Sequence, residues 1–429
     1  MGLGLLGRGL GDTLFLIECG AEVTVTDLKS PDQLRPSVER LKELPVTIKL
    51  GGHDPEDFAQ ADMILRNADV PASSPYLEIA KHNGIPIEMD ESLFCKFFEG
   101  LVVGITGTRG KTTTTYLINH ILQGAKRKTH LAGNIMGVAT LPLLKIVEPE
   151  DIVVLELSSW QLQGFHEARI SPQASVFTNI YPDHLNRYHG MDEYIFDKKA
   201  IYSYQKPEDF CVFNLDNSVT RQLSKESKSK VIYFEINDVP KNWEIRIPGA
   251  HNLENVAAAI QTTRTLGIPE NIIREFSESF AGVEHRLQWL GTRNGVDFVN
   301  DTTSTTPVSG IVALNSLSSR EILLIAGGAD KKLDLSEFAK LAAARTKRIA
   351  LLDGSATNQL YRKLAQYGAE SKIAGIFKDL ESAINELFRS ATKGQVILLS
   401  PACASFGMFR NEFHRGESFV KIFDALEDN

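Results

Sequence analysis

One segment limits what this chain can fold into more than any other. Leu101-Val102-Val103-Gly104-Ile105 runs directly into Thr106-Gly107-Thr108-Arg109-Gly110-Lys111-Thr112-Thr113. The first part is a short apolar run suited to a strand buried on both faces, and the residues after Gly110 can open a helix. A buried strand feeding a glycine turn and then a helix is the building unit of parallel α/β architecture. Glycines let such a turn curl until its N–H groups face an anion at the helix N-terminus. Lys111 then reaches the outer phosphates of a nucleotide, and the Thr112 hydroxyl takes Mg2+. The loop is a variant. The usual G-x-x-x-x-G-K-[ST] spacing needs glycine at Ile105, whereas here glycines stand at 104 and 107. An ordinary βα turn is the competing reading, and the Gly-Lys-Thr ending after an apolar strand speaks against it.

The same alternation continues along the chain. Strands are expected at Glu22–Asp27, Met63–Leu65 and Ile85–Ile87, then at Leu101–Ile105, Ile152–Leu157 and Ala174–Asn179 before a helix over Asn252–Leu266. Further strands are expected at Glu321–Ala326, Arg348–Leu352 and Val396–Leu399. At about 150 residues per domain, 429 residues suggest three. The expected fold is α/β in three domains: Rossmann-like over 1–95, a central P-loop ATPase-like parallel sheet over 96–284, and a C-terminal Rossmann-like α/β domain over 285–429. Composition excludes several classes. With 43% hydrophobic and 23% charged residues, the chain is neither disordered nor fibrous. Its 46 basic against 54 acidic residues leave a charge of −8, so no general nucleic-acid footprint exists. The four cysteines form no CxxC pair, which suits a reducing cytosol. No apolar run approaches the roughly 18 residues of a membrane span, and no secretory signal is recognisable, so a cytoplasmic protein without membrane insertion is expected.

A phosphate loop needs acidic or metal-holding partners from neighbouring strand ends. Glu156 closes the run Ile152-Val153-Val154-Leu155, and His184 follows the Pro182-Asp183 turn after Asn179. Taken alone, His184 is equally a metal neighbour or a satisfied loop histidine; beside Glu156 the metal reading gains. Lys198 and Lys199 lie on an expected helix, Asp192–Tyr202, where a solvated face is the default. His251-Asn252 with Asn255 could be no more than a capping arrangement. At the amino end, Gly2-Leu3-Gly4-Leu5-Leu6-Gly7 satisfies G-x-G-x-x-G, and Asp27 lies 20 residues beyond Gly7. That fingerprint requires a preceding strand. Either Met1–Leu6 is itself the strand or the first strand is missing, and the second reading is preferred. The turn then suits a nucleotide diphosphate, since nothing else argues for hydride chemistry.

These motifs, in this order, resemble the Mur ligases of peptidoglycan synthesis. The resemblance rests on Gly107–Thr113, Glu156-Leu157-Ser158-Ser159, Asn179 to His184, His251-Asn252 to Asn255, His285-Arg286, Asn300-Asp301 and Ser400–Phe406, with Phe409, Asn411, Arg415 and Gly416 after them. It implies three domains that bind a UDP-sugar, ATP and an amino acid, and it is greatest to the branch that adds D-glutamate to UDP-N-acetylmuramoyl-L-alanine through an acyl phosphate. By that resemblance Gly107, Thr108, Arg109, Gly110, Lys111, Thr112 and Thr113 hold the ATP phosphates. Thr112 and Glu156 bind one Mg2+, and His184 binds a second together with a carbamylated lysine, assigned to Lys198 with Lys199 as runner-up. Lys111, Lys198 and His184 form the catalytic set. Asn252 and Asn255 lie beside the adenine, Arg286 reaches the phosphates and Asp301 takes the ribose. Gly4, Thr26, Asp27, Asn134, Ser158 and Ser159 face the UDP-muramoyl substrate; Ser405 and Phe406 face the acceptor amino acid. A monomer is expected.

Two departures from the family concern the acceptor pocket. Thr303 stands where D-glutamate ligases usually have a lysine, and Phe406-Gly407 stands where Phe-Asp is expected. A neutral hydroxyl cannot replace a charge-assisted bond. Arg415, Lys331 or Lys332 is expected to supply the missing charge. A related ligase adding another amino acid, or a P-loop ATP-binding regulator that has lost ligase activity, are the competing expectations.

Overall fold

The computed structural model describes residues 1–4, 7–135, 138–183 and 187–426. The chain packs as two compact units. The first comprises Met1–Lys241 and Glu254–Ser277, the second Asn242–Leu253 and Glu278–Asn429.

In the first unit, the amino-terminal part holds four short strands: β1 (Val23–Asp27), β2 (Val46–Leu50), β3 (Ile64–Leu65) and β4 (Ile87–Glu88). They form two separate parallel pairs, β1 with β2 and β3 with β4. The central part is a six-stranded parallel sheet of β5 (Leu101–Thr106), β6 (Thr129–Gly133), β7 (Ile152–Glu156), β8 (Ala174–Phe177), β9 (Phe210–Asn214) and β10 (Lys230–Phe234). Its order is β10-β9-β8-β5-β7-β6. Strand order runs outward in opposite senses on the two sides of β5, and in open parallel sheets such a point leaves a crevice at the strands' carboxyl ends. The glycine turn starts there. Val102, Val103 and Ile105 are buried, as a central parallel strand requires.

The second unit contains β11 (Gln288–Arg293), β12 (Val296–Asn300), β13 (Ile322–Gly327), β14 (Thr346–Leu352), β15 (Ile373–Phe377) and β16 (Val396–Leu399). They pair in the order β11-β12-β16-β13-β14-β15. All pairs are parallel except β11 with β12, a hairpin that gives the sheet an antiparallel edge. Helices bury both faces. Leu324, Leu351 and Leu398 pack with Phe338 on one side, while Phe298, Ile325 and Leu399 pack with Ile384 and Phe419 on the other.

The strands expected from apolar runs are all present, within a few residues. Those the sequence reading passed over include β2, β6, β10, β11 and β15, which lie at sheet edges and carry polar residues on an open side. The strand expected to reach Asn179 ends at Phe177, because Thr178 and Asn179 leave the ladder to brace the glycine turn. Among the described residues no helix is long and apolar enough to cross a membrane.

The gap between the two amino-terminal strand pairs has a definite shape. The Met1 amine donates to Leu65 O at 2.9 Å, Gly2 N–H to Thr26 O at 2.8 Å and Asn67 N–H to Met1 O at 3.0 Å. Met1 and Gly2 therefore bridge the ends of β1 and β3. Beyond them a cavity of about 1080 Å3 runs between Val23–Thr26 and Met63–Leu65, with Leu16 and Phe58 also lining it. Burial lowers the Met1 amine to about 6. Unpaired edges facing each other across such a slot are a template for one more strand. An extended segment of four or five β-branched residues fused ahead of Met1 is expected to fill the slot and raise the thermal midpoint. An unchanged midpoint in calorimetry would show that the slot does not take a strand.

Candidate functional site

The turn between β5 and the helix Lys111–Gly124 is bent by two glycines with positive φ, Gly107 at 146° and Gly110 at 82°. A methyl group on Gly107 would strike Thr178 Oγ1, and one on Gly110 would strike Asn255 Oδ1. The turn is braced from β8. Asn179 Oδ1 accepts from Arg109 N–H at 2.9 Å, and the Thr178 hydroxyl donates to Arg109 O at 2.7 Å. Thr108 N–H donates to Asn179 O at 2.9 Å. Arg109 itself is exposed, and Thr112 and Thr113 are half-buried at the start of the helix. Asn255, 4% exposed, packs under Gly110 and accepts from the Thr114 hydroxyl at 3.4 Å. It therefore supports the turn. Asn252 belongs to the second unit, where its amide donates to Pro248 O at 2.7 Å.

Two lysines meet at this turn. Lys111 Nζ donates to Gly107 O at 3.0 Å and to Thr108 O at 3.1 Å. Lys198 Nζ donates to the same Gly107 carbonyl at 2.9 Å and to Thr106 Oγ1 at 3.2 Å. Lys198 is 1% exposed and lies over the Tyr194 ring, 4.9 Å from its centroid. Burial, with the Lys111 cation adding to it, pushes the Lys198 amine well below its ordinary range. Lys199, the next residue, points elsewhere and pairs with Glu226. A helix turns about 100° per residue, so only one of two consecutive lysines can face the turn.

Glu156 ends β7 beside these lysines. Its side chain is 2% exposed; Oε1 accepts from Asn134 Nδ2 at 3.0 Å, while Oε2 has no hydrogen-bond partner among the described residues. A buried carboxylate oxygen left without a donor suits a cation, and Thr112 on the first turn of the helix carries an oxygen of the hard type that Mg2+ prefers. His184 lies outside the described residues. Among those described, no three His, Cys, Asp or Glu side chains converge as a metal cluster.

A cavity of about 230 Å3 opens here, lined by Gly4, Arg8, Lys111, Asn134, Ser158 and Lys198 among others, with Ser159 also at its wall. Ser158 is committed to capping the helix Ser159–Ala168 in a capping box with Gln161. Asp27 is 5% exposed: Oδ2 accepts from Gly4 N–H at 3.0 Å and Oδ1 from Lys29 N–H at 2.9 Å. It holds the glycine turn. Thr26 is likewise engaged, its hydroxyl 2.5 Å from His53 Nδ1.

The second unit gathers its own polar group. Asp301 is buried; Oδ1 accepts from Leu287 N–H at 3.1 Å, and Oδ2 from the hydroxyls of Ser400, at 2.8 Å, and Ser304. Burial raises its carboxyl from the ordinary 3.8 to about 6, against the pull of those donors and of Arg286. Arg286 is exposed on the turn before β11. Ser405 is buried, with an Oγ that has no partner among the described residues, and Phe406 is 64% exposed. Arg415 is 1% exposed and spends its guanidinium on Thr302 Oγ1 at 2.9 Å and Thr302 O at 2.8 Å. Lys331 Nζ instead donates to Thr305 Oγ1 at 2.8 Å and stays exposed beside the loop that carries Thr303. Lys332 is exposed too.

Comparison with known proteins decides the family. Residues 105–243 match the Mur ligase middle domain, and residues 285–403 match the Mur ligase glutamate ligase domain. A UDP-N-acetylmuramoylalanine–D-glutamate ligase of Roseiflexus sp. (strain RS-1) is 39% identical over 99% of this chain and 98% of its own length. The chain belongs to the Mur ligase family. The ligase of the same name from Clostridioides difficile (strain 630) is 35% identical over 99% of this chain and 98% of its own. Among solved structures, UDP-N-acetylmuramate-alanine ligase MurC of Thermotoga maritima is similar with a TM-score of 0.59, at 19% identity over 99% of this chain and 98% of that one. MurF of Acinetobacter baumannii is similar with a TM-score of 0.59, at 16% identity over 85% and 91%.

Within this Mur ligase, the first unit brings Lys111, Thr112, Glu156, Asn134 and Lys198 to one end of the central sheet. Gly4 and Arg8 face them from the amino-terminal part. Sequence reasoning missed Thr178 and Tyr194 as parts of the loop's support, and it missed Arg8. The Gly7-Arg8-Gly9 turn was the available signal for the last. Asp301 also carries a pH consequence. Its folded pKa is raised, so the stability it allows is full below about pH 4 and lost as pH rises through 6, a change of about 3 kcal/mol. Asp301→Asn is expected to abolish that part of the decline. Hydrogen exchange in β16 between pH 4 and 7 should then show a flatter profile for the variant; parallel profiles would contradict the buried carboxyl.

Proposed function

We propose that this Mur ligase joins the amine of D-glutamate to the carboxylate of UDP-N-acetylmuramoyl-L-alanine at the expense of ATP, releasing ADP and phosphate through an acyl phosphate. The observation that carries the reading is the similarity, over 99% of the chain, to relatives that all bear that activity in their names. The arrangement of the first unit supports it chemically. Residues 1–95 take the UDP-sugar, 96–284 ATP and 285–429 the acceptor.

Joining a carboxylate to an amine requires that an oxygen leave, and phosphate is the better leaving group. Phosphoryl transfer depends on placing positive charge where negative charge develops. Lys111 supplies such charge once an anion draws it off the loop carbonyls. Thr112 and Glu156 would hold one Mg2+, and His184 with a carbamylated Lys198 would hold a second. Bound Mg2+ neutralises phosphate oxygens and screens the two reacting anions from each other. Lys198 is suited to carbamylation because burial pushes its amine well below its ordinary range, which favours the nucleophilic form. Its nitrogen bonds to the carbon of carbon dioxide and loses a proton, turning an amine into an oxygen ligand. Asn134 and Ser159 line the muramoyl side of the cavity, and Asp27 shapes the Gly4 turn that receives the diphosphate. In the first unit Asn255 places the nucleoside; in the second, Ser405 places the acceptor. Lys331 supplies the charge that Thr303 lacks, since Arg415 is committed to Thr302. The enzyme works in the cytoplasm as a monomer, which its four free cysteines suit.

Phosphate release from ATP is expected to require both UDP-N-acetylmuramoyl-L-alanine and D-glutamate, with L-glutamate and other amino acids inactive. Release with neither substrate would favour an ATPase regulator, and release with a different amino acid would move the chain to another branch of the family. Lys198→Ala should lose turnover and regain part of it with added short carboxylic acids; full activity without them would exclude this lysine as a ligand. Lys331→Ala should raise the KM for D-glutamate about tenfold, as loss of a charge-assisted bond would. An unchanged KM would remove Lys331 from the acceptor site.

A further inference from the structure

Arg8, the first residue of the helix Arg8–Glu18, has no part in the reaction laid out above, yet it stands at the head of a row of polar groups that ends on the metal-holding carboxylate. Its Nη2 donates to Asn134 Oδ1 at 2.8 Å. Asn134 Nδ2 in turn donates to Glu156 Oε1 at 3.0 Å, and Asn134 N–H donates to Glu156 O at 2.7 Å. A guanidinium has only donors and a carboxylate only acceptors. An amide between them therefore has a single orientation, oxygen toward Arg8 and nitrogen toward Glu156. The side chain of Arg8 is 15% exposed, with Nη1 3.9 Å from Glu91 Oε1, while its bond to Asn134 lies at the surface.

We propose that Arg8 is a positioning residue for Glu156: by fixing the Asn134 amide it keeps Oε1 occupied and Oε2 presented to a divalent cation. The proposal rests on the reading of Glu156 as a metal-holding group and adds to it the partner that orients this carboxylate. It also ties the amino-terminal glycine turn to the end of β7 through two side-chain bonds. Groups that orient a metal's ligands commonly change metal affinity or activity about 10- to 100-fold when removed.

The test uses the full chain with Mn2+ as probe and a non-hydrolysable ATP analogue present, free Mn2+ being counted by electron paramagnetic resonance. Arg8→Met should weaken Mn2+ binding about 10- to 100-fold. Arg8→Lys, which keeps the charge and one donor, should lose less. Asn134→Ser breaks the row at its middle, so adding Arg8→Met to it should cause no further loss. Calorimetric midpoints of the variants without metal should stay near that of the wild type, which a purely structural arginine would not allow. Equal Mn2+ affinity in wild type and Arg8→Met, or additive losses in the double variant, would overturn the role of Arg8. A wild-type chain that binds the analogue but no Mn2+ would instead overturn the reading of Glu156 and this inference with it.

Discussion

Two amines share one carbonyl oxygen at the centre of this structure. Lys111 and Lys198 both donate to Gly107 O, at 3.0 and 2.9 Å, with little water to separate them. Two full positive charges at such a spacing and burial repel strongly. Burial and the neighbouring Lys111 cation push the Lys198 amine well below its ordinary range, which lowers that repulsion. The surroundings of the two differ. Lys111 is half-buried, while Lys198 is 1% exposed and lies over the Tyr194 ring.

That centre depends on the turn that carries it, and the turn depends on its neighbours. Gly107 and Gly110 have no room for a side chain because Thr178 and Asn255 press against them. The amide and hydroxyl of the β8 end take up the backbone groups of Arg109, so the N–H groups of the turn are preorganised before any anion arrives. On the other flank, the row from Arg8 through Asn134 to Glu156 joins the amino-terminal glycine turn to the end of β7. The loop itself is held from the end of β8.

The second unit solves a different problem. Its strands end on a buried carboxylate, Asp301, whose oxygens tie together β11, β16 and the loop that follows β12. The family resemblance gives this residue to the ribose. Its bonds within the unit show why it also matters to the fold, since three donors organise around one carboxyl group. Arg415 plays a comparable part at the Thr302 loop, with Lys331 on the surface bonded to the Thr305 hydroxyl.

What the amino-acid order determined by itself was everything encoded by neighbours along the chain. The strand–glycine–lysine unit, the buried apolar strands and the ordered motif set are local, because positive φ, strand burial and helix capping are properties of a few consecutive residues. Tertiary structure decided the rest. Lys198 and Lys199 look equivalent in a string of letters, and only the phase of their helix against β5 turned one inward and paired the other with Glu226. Asp27 accepts from the Gly4 N–H and Asn255 packs against Gly110, so each also supports a glycine turn, which no local pattern shows. The partnership of Arg8 with Asn134 spans 126 positions. No local pattern carries such a bond; it exists because the fold brings the start of the first helix beside the residue that follows β6.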